Sequence, residues 1–131
     1  MVIGRREFLA GMAAFALAGP PALRAEGGAS GMYGLIGKMR AVAGQRDALI
    51  AILLEGTGSM PGCLSYVVAT DPADADAIWI TEVWDSEASH KASLQLPAVR
   101  DAISRGRPLI AGFDSSTVTT PVGGEGLPSR G

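Results

Sequence analysis

The chain has a single histidine, His90, standing six residues after Trp84, one of two tryptophans, in the stretch ITEVWDSEASH. Imidazole is the side chain best suited to carry a proton near neutral pH. An indole presents a broad apolar face on which an aromatic molecule can stack. Each has a plainer reading, His90 as a half-buried helix residue and Trp84 as a packing residue, and spacing leaves both open. Tyr66 offers a phenol, but Leu64 and Val68 share its strand face, which favours a core or subunit contact over a ligand-binding hydroxyl. Cys63, beside Gly62, reads as a small buried apolar group rather than a reactive thiol. Arg100 reads as part of a solvated helix face, with attraction of an anionic substrate as the alternative.

Composition narrows the classes. At 131 residues, 47% hydrophobic and 18% charged, the chain has the balance of one globular domain rather than a disordered segment. A net charge of −2 supplies no basic patch for nucleic acid. One cysteine excludes an internal disulfide, and with one histidine it falls short of a structural zinc site. In DPADADAIWITE, Asp71 and Glu82 have the spacing of calcium-loop ends. Alanine fills the third and fifth places and Asp76 stands where glycine is needed, so the segment reads as a turn.

These side chains need elements to position them. MYGLIGKMR (Met32–Arg40) is short, apolar and punctuated by glycine, which predicts a strand. AGQRDALIAILLEG predicts a helix with Leu49, Ile50, Leu53 and Leu54 on its buried face and Asp47 at the positive end of its dipole. PGCLSYVVAT (Pro61–Thr70), the turn DPADADA, and IWITEVW (Ile78–Trp84) predict a hairpin. Asp85 or Ser86 can cap the following helix, with Glu87 in its first turn. That helix runs toward Leu94, and Pro97 begins a second piece ended by Gly106. LIAGFDSSTVTT predicts the last strand. The order β-α-β-β-α-β is the split βαβ of ferredoxin-like α+β domains, with helices over one face of an antiparallel sheet. On IWITEVW, Ile80, Glu82 and Trp84 share one side while Trp79, Thr81 and Val83 share the other. An indole on each side makes both faces poor surfaces for water, so a twofold-related copy is the expected cover.

The N-terminus has the layout of an address. Arg5 and Arg6 precede an apolar run from Phe8 to Leu17, then Gly19, Pro20 and Pro21. The apolar run is about half the ~20 residues of a membrane span. RREFLA resembles the twin-arginine export motif, which implies passage through that machinery to the periplasm or beyond, with cleavage after Ala18 or Ala25. The expected organisation is a signal over 1–25, a linker over 26–31, a domain over 32–120 and a loose Gly- and Pro-rich tail over 121–131.

The stretches MYGLIGKMRAVAGQRDAL, PGCLSYVV and ITEVWDSEASHKASLQLP together resemble the antibiotic biosynthesis monooxygenase family, including its quinol monooxygenase branch. The resemblance covers about Met32 to Thr120. It implies a ferredoxin-like subunit that pairs into a dimeric α/β barrel, and oxidation of quinol-like or phenolic small molecules by molecular oxygen without a cofactor. Residue by residue, it places Trp84 at the cavity rim, Glu82 as the family's acidic residue two places earlier, and His90 where it can exchange a proton with a bound phenol. Ile80 stands where members with a described cavity carry asparagine; Ser93 and Ala98 stand where many relatives carry histidine. The haem-degrading branch needs a histidine near Ile103, and none is there. No Gly-rich dinucleotide loop or phosphate loop is present. The alternatives are a dimeric small-ligand-binding domain without catalysis and an isomerase on the same scaffold.

Overall fold

The computed structural model describes residues 31–128. The expected export signal, with Arg5, Arg6 and both cleavage points, lies outside the described residues.

Strand β1 (Tyr33–Ala41) alternates in burial as a strand with one covered face must, Leu35, Gly37, Met39 and Ala41 pointing inward. Gly44, at φ +81°, turns the chain into α1 (Arg46–Gly56), so the helix begins three residues later than periodicity predicts. Leu49 is fully buried and Ile50 and Leu53 pack beside it. Leu54 departs from the expected stripe: it is 54% exposed, because at i+5 from Leu49 it has rotated off the buried face.

Strands β2 (Cys63–Thr70) and β3 (Ala77–Trp84) form the expected hairpin. Gly62, at φ +86°, starts β2 two residues after Pro61; any Cβ there would strike Ser89. The aspartates between the strands bond their own backbone: Asp71 Oδ1 accepts from the Ala73 N–H at 2.8 Å and Asp74 Oδ1 from the Asp76 N–H at 3.0 Å. These side-chain turns explain why a run of acids bends the chain here.

Helix α2 (Glu87–Ser93) begins at Ser86, whose Oγ accepts from the Ser89 N–H at 3.1 Å. Replacing Ser86 by alanine removes that acceptor and is expected to cost about 1 kcal/mol in a denaturant titration. An unchanged midpoint would show the cap to be idle. Helix α3 (Pro97–Gly106) starts on its proline, and a short 3₁₀ turn (Arg107–Leu109) leads into β4 (Ile110–Thr119).

The sheet order is β2-β3-β1-β4, antiparallel throughout, with the helices over one face: the ferredoxin-like α+β fold. Two clusters lie between sheet and helices, one around Met39, Leu49 and Ile78, the other around Tyr33, Leu35 and Trp84. The opposite face is less uniformly apolar than the two indoles imply. Trp79 is satisfied within the subunit: its Nε1–H donates to Asp71 Oδ2 at 3.0 Å and Lys38 Nζ lies 5.5 Å from its ring centre. Arg40 joins the same patch through Asp74 and Asp114. Among the described residues of this face, the exposed large apolar side chains lie toward the other end, where Ile36 is 38% and Val67 52% exposed. Among the described residues no helix is long and apolar enough to cross a membrane.

Candidate functional site

Cross-strand register puts the candidate residues in rows beneath the helices. Tyr66 on β2, Glu82 on β3 and Leu35 on β1 are direct neighbours; the next row holds Val68, Ile80 and Gly37, and the preceding one Cys63, Trp84 and Tyr33. Because strand side chains alternate, Ile80, Glu82 and Trp84 all point toward the helices. The Ser86 cap sets the phase of α2 so that His90 comes down onto this row, 5% exposed. Its ring lies 5.4 Å from Trp84, near edge-on at 72°, and 5.4 Å from Tyr33.

The space beneath the helices has two lobes, both partly open. The first, about 60 Å³, lies under α1, α2 and α3 and reaches Tyr66, Glu82, Trp84 and His90. The second, about 50 Å³, lies toward β4 and is walled by Leu35, Gly37, Ile80, Phe113 and Ser116. Tyr66, Glu82 and His90, with Met39, Leu53 and Leu94, border both. Gly37 matters here because a Cβ would come within 2.8 Å of the Phe113 ring that closes the second lobe. Outside, an open groove of about 460 Å³ follows the loop from Thr57 to Tyr66; Thr57, Met60 and Tyr66 line both it and the first lobe.

Burial sets the protonation of this wall. Glu82 has lost most of its water, which pushes its carboxyl up to about 7 even though the Trp84 indole N–H, 2.8 Å from Oε1, favours the anion. The same desolvation pulls His90 down to about 4. His90 Nε2 stands 3.9 Å from Glu82 Oε1, beyond hydrogen-bond reach. A proton shared between the two therefore resides on the carboxyl, and at neutral pH they form no ion pair. His90 Nδ1 is buried with no hydrogen-bond partner. Tyr66 stays a neutral phenol, its ionisation opposed by burial first and by the Glu82 charge second. The arrangement is a largely apolar pocket with one carboxyl titrating near neutrality, one neutral imidazole and one phenol. It can take a proton from a bound molecule and return it.

All five residues singled out from the sequence, Tyr66, Ile80, Glu82, Trp84 and His90, border this space. The roles differ from the expected ones in detail. Trp84, 1% exposed, is a wall and a hydrogen-bond donor to Glu82 rather than an open stacking face. Cys63 is half-buried in the outer groove rather than fully buried, and burial pushes its thiol up. Arg100 is exposed on α3, outside both lobes. Sequence reasoning missed Tyr33, which flanks His90, because its role depends on the β1–β3 register. Among the described residues no group of three or more His, Cys, Asp or Glu side chains could hold a metal ion.

A family model and several solved structures resemble this chain. The family model described as antibiotic biosynthesis monooxygenase matches residues 32–105, a span holding all five. A solved structure from Chloroflexus aurantiacus J-10-fl, described as a candidate antibiotic biosynthesis monooxygenase, is 74% identical, over 74% of this chain and 99% of that one, with a TM-score of 0.73. A Caulobacter crescentus CB15 structure of the same description is 17% identical, covering 73% and 92%, with a TM-score of 0.61. A Mycobacterium tuberculosis protein is 18% identical, covering 72% and 98%, also at 0.61. The last two likenesses are of fold. No curated protein matches the chain in sequence.

Proposed function

Because the chain belongs to the antibiotic biosynthesis monooxygenase family, we propose that it oxidises a quinol-like or phenolic small molecule with molecular oxygen at the Glu82–His90 pocket. The observation that carries this reading is the buried Glu82 carboxyl with His90 Nε2 3.9 Å from its Oε1, on an imidazole whose other nitrogen, Nδ1, is buried without a hydrogen-bond partner. Triplet oxygen reacts slowly with closed-shell molecules, but a deprotonated quinol can pass it an electron. The radical pair then joins as a ring peroxide, and loss of water leaves a hydroxyquinone. One oxygen atom enters the ring, the other leaves as water, and the ring supplies all the electrons. The protein needs only to take the first proton, exclude bulk water and return a proton to the peroxide. Glu82 is suited to the proton steps and His90 Nδ1 to holding a hydroxyl.

The test is oxygen uptake with a panel of hydroquinones. His90→Ala is expected to lower kcat/KM by about 10²-fold, the lower range for losing a positioned proton-handling group. Uptake indifferent to this change would remove the assignment, and ligand binding without any uptake would favour a non-catalytic binding domain.

The assembly belongs to the same proposal. Ile36, Val67 and the half-buried Val83 form the apolar end of the open face, which a second copy would cover. Ile36→Asp with Val67→Asp is expected to convert a sedimenting dimer to a monomer; a dimer that survives both charges would place the interface elsewhere. Export through the twin-arginine pathway is likewise proposed, on Arg5 and Arg6, and would be lost from the exported fraction when both become lysine.

A further inference from the structure

Strand β4 does not keep the period of the sheet it joins. Lys38 pairs with Ser115 but Met39 with Phe113, and Arg40 pairs with Gly112 but Ala41 with Ile110, so Asp114 and Ala111 stand opposite no residue of their own. Each is the extra residue of a β-bulge on an edge strand. Strict alternation from Val118 and Ser116, which pair with the inward Leu35 and Gly37, would bring Asp114 under the helices and turn Phe113 to the open face. The first bulge reverses this. Phe113 pairs with the inward Met39, packs on the core cluster that holds Leu49 and Ile78, and walls the second lobe. Asp114 goes outward, where Arg40 donates to it from Nη2 at 2.7 Å and from Nε at 3.4 Å, and Lys38 Nζ lies 3.9 Å away. The second bulge restores the phase, and Ile110 is buried again at 4% exposure.

We propose that Asp114, on the face away from the pocket, is a positioning residue for it. Paired with Arg40, it holds the bulge that turns Phe113 inward, and Phe113 sets how bulky a ring substituent the pocket takes. The proposal rests on the oxidation reading above and deepens it by naming what selects among quinols. Arg40 is a fixed point for this purpose, because its Nη2 also donates to Asp74 Oδ2 in the hairpin turn at 2.8 Å. An exposed ion pair adds little to stability. Its weight here is geometric: it favours the one strand phase in which the acid faces out and the aromatic ring faces in. Gly37 defines the ring's place from β1, since a Cβ there would come within 2.8 Å of Phe113 Cζ. Phe113 bounds the second lobe on the β4 side, so a ring that leaves this seat opens the lobe in that direction.

The test labels the full chain with 4-fluorophenylalanine and reads fluorine NMR beside hydroquinone kinetics. The chain has three phenylalanines, Phe8, Phe15 and Phe113, so Phe113→Leu identifies the resonance in question. Asp114→Ala is expected to shift or broaden that resonance. It is also expected to raise kcat/KM for tert-butylhydroquinone relative to hydroquinone about tenfold, through KM, the scale of one misfitted group in an apolar pocket. Asp114→Glu keeps the carboxylate and should restore both readouts. Arg40→Gln should reproduce the alanine effect, and the double variant should add nothing to it. A resonance or a substrate ratio that stays put in Asp114→Ala would overturn the proposal, because a merely structural ion pair acts on the unfolding midpoint alone. A glutamate that restores neither readout would overturn it as well. If Asp114→Ala does not fold, Arg40→Gln carries the same test with the same outcomes. A parent that consumes no oxygen defeats the oxidation reading; the positioning role is then decided by the fluorine signal and by anaerobic binding of the two hydroquinones.

Discussion

Glu82→Gln is expected to slow the proposed quinol oxidation by about 10²–10⁴-fold while making the protein more stable at pH 8. The two effects have one cause. The folded carboxyl titrates at about 7 because its charge is poorly solvated in the pocket. Unfolded, it titrates near the ordinary 4.5. Folding therefore favours the protonated form, and the resulting stability is complete below pH 4.5 and lost as pH rises through 7. Above that, ionised Glu82 destabilises the fold by an upper bound of about 3 kcal/mol, one pKa unit being about 1.4 kcal/mol. The glutamine keeps an oxygen for the Trp84 indole N–H and carries no charge. A gain of about 2 kcal/mol, or ~10 °C in the unfolding midpoint at pH 8, is expected, with little change at pH 4.5. A midpoint that falls at pH 8 would refute the account of Glu82 as a strained buried acid. His90 works in the opposite direction. Its depressed pKa contributes stability that is present above 6.5 and lost as pH falls toward 4. Between pH 4.5 and 6.5 the two slopes oppose each other, so the parent should show a flat stability profile there and His90→Phe a falling one as pH rises.

Trp84→Ala is expected to cost about 3–5 kcal/mol, the range for truncating a large buried aromatic, measured by denaturant titration. Trp84 is 1% exposed in a cluster with Tyr33, Leu35, Met60 and Val99, and its edge packs on His90. A cost below about 1 kcal/mol would mean that the cluster collapses readily around the missing indole. The milder Trp84→Phe separates packing from chemistry. It retains most of the apolar volume and leaves Glu82 without the one donor that favours its anion. The Glu82 pKa must then rise, and the ascending limb of kcat/KM, expected near pH 7 in the parent, should move to higher pH. An unshifted limb would separate Glu82 from the rate-determining proton step.

Much of the architecture was legible in one dimension. Period-2 alternation in IWITEVW placed Ile80, Glu82 and Trp84 on one face, and they point together toward the helices. Ser86, Pro97 and Gly106 marked helix ends because capping, a fixed φ and the lack of a side chain act locally. The clustered aspartates predicted the hairpin turn for the same reason. Where the reading missed, the deciding contact was distant in the chain. Leu54 belongs to an apolar run, yet nothing in that run shows how α1 rotates over the sheet. Trp79 looked like a surface in need of a partner, but Lys38 from β1 and Asp71 across the hairpin already meet it.

The residue types, their alternation and the order of elements thus belong to the sequence itself, since each depends on steric and hydrogen-bonding preferences within a few residues. The chemistry of the pocket does not. Glu82 and His90 are ordinary titrating groups until β3 and α2 bring them to 3.9 Å in a largely apolar pocket. Only that shared desolvation moves the proton from the imidazole to the carboxyl, and desolvation is a property of the packed assembly, not of any stretch of chain.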